Sequence, residues 1–404
     1  NVSSNVSVGF DPRFVVVSET ADIAFVNDDA SQYSILPQND VTITQISTQA
    51  YGRSTQTSPV ELPSAMYGST VAESLVITGY NANSNGCIKI YRRLATTVGN
   101  YPSSSTDSSG KHIYIYSNSV SNPSQSITYT SNRNRFNASV FYNPNILYYN
   151  VSTGADIAAV GIACVGDNGQ LTITNGIWFD PTVSNVNSST DHFASNVNFS
   201  SVPSGTTVNL NYISGNGMFG SGNIIFTILG DNSTRGQITM YANGSVTTNT
   251  ISNIGSTNVS LRGIVMINGA REVLFGDNGT IIQNVGSSNF PNWQTVTTNS
   301  NSNLKSGITL FDGSVVIVGD NGSIYRHNNS ILYGTWQKIT SNTTVNLNSV
   351  TFTGDGSQNH LIATGDNGLI IKSTDGGLNW ATMSSIGITN RITESALYIP
   401  GFKY

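Results

Sequence analysis

The chain has 404 residues, a net charge of −5 and only 10% charged side chains, against roughly 25% in an ordinary soluble domain. Disorder, which couples low hydrophobicity to high net charge, is excluded by a hydrophobic share of 38%. A nucleic-acid face is excluded as well: the 17 Lys and Arg are scattered, and the densest groups, Arg92-Arg93 and Arg133/Arg135, read as charges that guard strand edges. No stretch nears the roughly 20 apolar residues of a membrane-spanning helix; 157–165 is the longest, flanked by Asp156 and Asp167. The chain opens at Asn1 with no Met or apolar leader, as a processed or trimmed product would.

Predicted elements follow in chain order. A hairpin of 14–17 and 23–26 comes first, then a Gln/Ser/Thr/Pro-rich loop over 38–70. Next come 76–80 with 86–91 and a tyrosine-rich pair, 113–117 with 126–129. From 164 onward one phrase keeps returning: an apolar run, Gly-Asp-Asn-Gly, then alternating residues. It stands at Gly166 to Gly169, Gly276 to Gly279, Gly319 to Gly322 and Gly365 to Gly368, with a degenerate copy at Gly230-Asp231-Asn232. The opening glycines are separated by 64, 46, 43 and 46 residues. Asn-Gly tolerates the paired positive φ of a type I′ turn, so each phrase is a hairpin. The β-branched run before it suits a strand covered on both faces, and the alternation after it a half-exposed strand.

One tight hairpin per period of about 45 residues is the signature of a β-propeller blade. The fold expected is therefore all-β, one closed propeller of four-stranded blades over 1–404. The hairpins number eight, with seven blades if one is an insertion. In the clearest copy 346–354 is the inner strand, followed by 360–364, 369–373 and 380–384. The 396–400 strand has no hairpin partner and is expected to complete the first blade. A second long loop lies at 180–207. Long loops in a compact domain are often functional.

At Ser373-Thr374-Asp375-Gly376-Gly377-Leu378-Asn379-Trp380 the chain resembles the Asp-box, Ser-X-Asp-X-Gly-X-X-Trp. Together with Gly365-Asp366-Asn367-Gly368 this segment is similar to the repeats of propellers related to photosystem II assembly factors, a repeat type shared with sialidases and other secreted and viral proteins. The resemblance implies a structural box of Ser373, Asp375, Gly377 and Trp380: Asp375 accepts hydrogen bonds, Gly377 permits the turn and Trp380 packs between blades. It spans roughly 260–390. Trp293 and Trp336 recur in the two preceding repeats without the Asp.

Catalytic signatures are missing. A sialidase resemblance would call for an early Arg-Ile-Pro, which is absent, and no Gly-X-Ser-X-Gly, His-Glu-X-X-His or Cys-X-X-Cys occurs. Gly215 to Gly222 lacks the Lys-Ser/Thr of a phosphate loop. Asp28, Asp29, Glu61, Glu73 and Glu272 have no partner that spacing supplies, and His112, His192, His327 and His360 are dispersed. No catalytic, cofactor or metal residue is therefore assigned. Cys87 and Cys164 sit in apolar strands and read as buried thiols, with a disulfide between blades as the alternative. The thirteen Asn-X-Ser/Thr sequences permit glycosylation without arguing for it.

Tyr51, Tyr67, Tyr148 and Tyr149 are the aromatic positions where a protein or glycan contact is expected. An amide- and hydroxyl-rich surface with few charges points to an exposed setting: extracellular, cell-surface or virion. The function expected is non-catalytic binding or structure, with protein partners, copies of itself or glycans as ligands, and neither nucleic acid nor membrane insertion. The alternative is a secreted glycoside hydrolase or sialidase-like enzyme on the same scaffold.

Overall fold

The computed structural model describes 14–19, 23–27, 29–31, 33–36, 44–51, 72–80, 85–94, 125–142, 147–150, 155–158, 161–174 and, with short gaps, 199–397. For much of 44–133 and 147–158 the backbone alone is described. These residues form seven four-stranded antiparallel sheets, the sheet repeat of a β-propeller. β1 (Phe14–Ser18), β2 (Ile23–Val26) and β3 (Tyr33–Leu36) share the first sheet with β30 (Ile392–Leu397), in the order β3-β2-β1-β30. The second holds β4 (Thr44–Tyr51), β5 (Ala72–Tyr80), β6 (Asn85–Leu94) and β7 (Gln125–Asn134). The third runs from β8 (Phe136–Tyr142) through β11 (Gly161–Gly166) and β12 (Leu171–Thr174) to β13 (Phe199–Ser201), with a separate hairpin of β9 (Leu147–Asn150) and β10 (Ala155–Ala158) inserted.

The remaining four sheets are simple meanders. The fourth is β14 (Leu210–Gly217), β15 (Ile224–Gly230), β16 (Thr234–Met240) and β17 (Val246–Ile251). The fifth is β18 (Leu261–Ile267), β19 (Arg271–Gly276), β20 (Ile281–Asn284) and β21 (Trp293–Val296). The sixth is β22 (Leu304–Thr309), β23 (Val315–Gly319), β24 (Ile324–His327) and β25 (Trp336–Ile339), and the seventh β26 (Leu347–Phe352), β27 (Leu361–Gly365), β28 (Ile370–Ser373) and β29 (Ala381–Thr382). β4, β8, β14, β18, β22, β26 and β30 each begin or end their sheet, and each packs on the next: β4 on β8, β8 on β14, and so on to β26 on β30 and β30 on β4.

The core lies between sheets. β23 is buried at every position, as its unbroken run of β-branched residues requires. Val316 and Val318 of the sixth sheet pack with Leu347, Leu361, Ala363 and Trp380 of the seventh. Phe14, Val16 and Ala24 of the first pack with Ile362 and Ile370 of the seventh. Apolar packing between neighbouring sheets leaves polar residues to the outer edges, as in the exposed β25 centre, Gln337 and Lys338.

Three readings of the sequence differ from this arrangement. Of the pair read at 113–129, 126–129 lie in β7 of the second sheet, paired Tyr91↔Ser126 and Ile90↔Ile127, while 113–117 lie outside the described residues. The loop read over 38–70 contains β4, paired along its length with β5; its Thr, Gln and Ser resemble a loop because pairing, and not an apolar run, makes it a strand. The loop read over 180–207 carries β13 at 199–201, paired with β12.

Candidate functional site

The Gly-Asp-Asn-Gly turns stand where the inner strand of each sheet begins. Asn168, Asn278, Asn321 and Asn367 have φ of 55–57° and the glycines after them 64–68°, the left-handed pair a type I′ turn needs. The first glycine is required for another reason. A Cβ on Gly166, Gly230, Gly276, Gly319 or Gly365 would lie 2.0–2.3 Å from the carbonyl oxygen of the residue preceding the inner strand of its own sheet.

The inner strands answer with a bulge. In every sheet the register slips by one residue at the start of that strand, leaving Ile46, Asn137, Asn211, Arg262, Lys305, Asn348 and Thr393 as the extra residue. A bulge re-aims its side chain, and five of these reach the turn aspartate. Asn137 donates to Asp167 Oδ1 (3.0 Å), Asn211 to Asp231 Oδ1 (2.9 Å) and Asn348 to Asp366 Oδ1 (2.9 Å). Arg262 grips Asp277 with two donors, and Lys305 pairs with Asp320.

Further bonds tie each turn to its neighbour. Asn168, Asn278 and Asn321 donate their backbone N–H to the side chains of Asn209, Asn303 and Asn346 in the following sheet. Ser260 donates to Asp231, and Arg391 approaches Asp366 at 3.4 Å. Burial opposes ionisation of Asp366, but hydrogen bonds from Asn348 and Asn346 and the charges of Arg391 and Lys305 outweigh it and hold the carboxyl below its ordinary range. The aspartates are thus structural latches. The bulge partners escaped sequence reading, although a signal existed: the triplets Asn209-Leu210-Asn211, Ser260-Leu261-Arg262, Asn303-Leu304-Lys305 and Asn346-Leu347-Asn348 recur with the repeat.

The Ser373–Trp380 segment closes on itself in the same spirit. Asp375 accepts from the Ser373 hydroxyl (2.9 Å), the backbone N–H of Leu378 and Asn379, and the Asn379 amide (2.7 Å). Burial would raise its pKa, yet the bonds from Asn379, Ser373 and Leu378 lower it overall. Ser373 Oγ accepts from Gly377 N, Gly377 has φ +86°, and the buried Trp380 indole donates to Gly377 O (3.1 Å).

Of the aromatic candidates, Tyr51 ends β4, Tyr148 and Tyr149 are consecutive in β9, and Tyr67 lies outside the described residues. Tyr51 and the Tyr148–Tyr149 pair thus fall on different strands. Among the carboxylates, Glu272 is held by Arg235 through two bonds of 2.9 and 2.7 Å, and Asp29 accepts from Ser31. Glu73 is in β5; Asp28 and Glu61 lie outside the described residues. Cys87 lies in β6, and Cys164 is a buried free thiol whose pKa burial pushes well up. Among the described residues no three metal-ligating side chains gather, and no helix is long and apolar enough to cross a membrane.

No family model and no curated protein matches the chain. Two solved structures of Sqt1 from Chaetomium thermophilum are similar to it, at 12% and 11% identity with TM-scores of 0.47 and 0.46, each over 81% of this chain and 72% of that one. A likeness of that order carries no argument about activity or partner.

Proposed function

We propose that the seven sheets are blades of one closed propeller, that 373–380 is an Asp-box, and that the protein is a non-catalytic binding or structural component exposed outside a cell or on a virus particle. Closure is supported by the cyclic packing of the inner strands and by β30, which pairs with β1 from Phe14↔Leu397 to Val17↔Glu394. The observation that carries the non-catalytic reading is the engagement of the charged groups. Asp167, Asp277, Asp320 and Asp366 are all spent on latching turns, and Arg135, Arg235, Arg262 and Arg391 each hold a carboxylate. A rigid ring of this kind pre-organises the loops on its faces, so little entropy is lost when a protein partner, a further copy or a glycan docks. The sparse charge leaves such contacts insensitive to salt.

Incubation with a panel of aryl glycosides and sialosides, beside a glycan array, tests this reading. Binding without release of aglycone is the expected result. Turnover would overturn it in favour of the glycosidase alternative.

A further inference from the structure

A recess lies beside one of the latched turns. Between the turn 167–169 of the third sheet and the connection 201–207 lies a cleft of about 620 Å³, inside the range of roughly 300–1,000 Å³ typical of small-molecule sites. Its frame is held rigidly. Ser204 Oγ donates to Gly169 O (2.6 Å), Thr250 Oγ1 donates to Ser204 O (2.8 Å), and Asn168 N donates to Asn209 Oδ1 (3.1 Å). Leu171 and Val202 give it an apolar floor, and Pro203 stands exposed beside them.

The walls are amides and hydroxyls, with Asn134, Asn168 and Thr207 all exposed. Asp167 is the single charged lining residue, and its carboxylate is balanced by Arg135 at 3.0 Å. Among the described residues no Lys or Arg lines the cleft, and Arg135 itself is committed to Asp167 and sits over the Tyr80 ring at 5.8 Å. An anionic ligand would meet a carboxylate and no available cation.

We propose that this cleft binds a neutral oligosaccharide of two or three sugar units. A sugar ring presents vicinal hydroxyls that both donate and accept, which the amide of Asn168 and the hydroxyl of Thr207, both exposed in the lining, match in kind. Its C–H face needs a small apolar surface, which Pro203 and Val202 supply. The proposal rests on the display reading above and names its ligand.

The test uses the full chain, titrated calorimetrically with neutral gluco-, manno-, galacto- and xylo-oligosaccharides and with sialylated and sulfated ones. At least one neutral oligosaccharide is expected to bind. Asn168→Gly, which keeps the left-handed turn and removes the amide, and Thr207→Val are each expected to weaken it at least tenfold. Asn321→Gly, the same change in the turn of the sixth sheet, leaves binding unchanged and controls for the fold. Binding that ignores Asn168→Gly and Thr207→Val, binding of charged sugars alone, or no binding at all overturns the cleft assignment, while the protein-partner form of the display reading stands. Hydrolysis of a sugar whose binding both variants weaken overturns the non-catalytic reading and supports the cleft.

Discussion

Glu394 sits on β30, the strand that joins the two ends of the chain, opposite Val17 of β1. Its carboxyl accepts from Ser349 Oγ of β26 (3.2 Å), and Ser349 is bound in turn to the backbone and hydroxyl of Ser395. Burial drives its pKa from 4.5 up to about 7, against the smaller pull of bonds from Ser349 and the Ser395 backbone. Below pH 4.5 the carboxyl is protonated whether the chain is folded or unfolded and has no effect on stability. As pH rises from 4.5 to 7 the unfolded chain releases this proton and the folded chain does not, so stability falls across that window. The full shift corresponds to about 3 kcal/mol; partial exposure of the residue places the expected loss at about 1–3 kcal/mol. Glu394→Gln cannot ionise and keeps an acceptor facing Ser349. Urea unfolding of both chains at intervals from pH 4.5 to 9 should give nearly equal midpoints at pH 4.5 and a variant increasingly more stable up to pH 8. Midpoints that run parallel from pH 5 to 8 would refute the argument that a desolvated carboxyl sits between β30 and β26.

Asp366 works in the opposite direction. Its lowered pKa contributes stability that is present above the ordinary carboxylate range and disappears as pH falls through the folded value, so acid melts of the parent chain and Asp366→Asn should differ at pH 6 and converge as the carboxyl becomes protonated in the folded chain. Gly319→Ala sets a Cβ 2.1 Å from Asn303 O, a backbone atom that cannot yield, and should cost about 2–3 kcal/mol by denaturant midpoint. Gly244→Ala, with φ +80° and nothing within 4 Å of its Cβ, should cost only about 1 kcal/mol. Arg235 joins the fourth sheet to Glu272 of the fifth through two bonds and lies 5.9 Å from the centre of the Trp293 ring. A double-mutant cycle to Ala at both positions should return a coupling of about 1–2 kcal/mol, and a coupling near zero would make the pair incidental.

The hairpins were legible because everything that makes them lies within five residues. Asn-Gly selects the turn, the β-branched run before it the buried strand, and Ser373, Asp375, Gly377 and Trp380 close a loop of their own. The polar strand β4 was not legible, since Thr44–Tyr51 has no apolar run and becomes a strand only against β5. That 126–129 joins β6 was not legible either, because periodicity does not say which neighbour a strand pairs with. The latches were half legible. The aspartates stood out, whereas their donors at Asn137, Asn211, Arg262, Lys305 and Asn348 occupy bulges, which are properties of paired strands and not of one strand's composition.

Sequence alone determined the repeating unit of this protein: an all-β chain of apolar strands and left-handed turns, poor in charge, with one turn aspartate recurring in each clear repeat. Tertiary structure decided which strands share a sheet, that β30 returns to β1 across nearly the whole chain, that Glu394 is desolvated beside β26, and that a recess forms beside Asp167. The reason is the range of the forces. Turn preference and strand propensity act between neighbours along the chain, while register, burial of a carboxylate and the shape of a recess depend on surfaces that meet only after the sheets have packed.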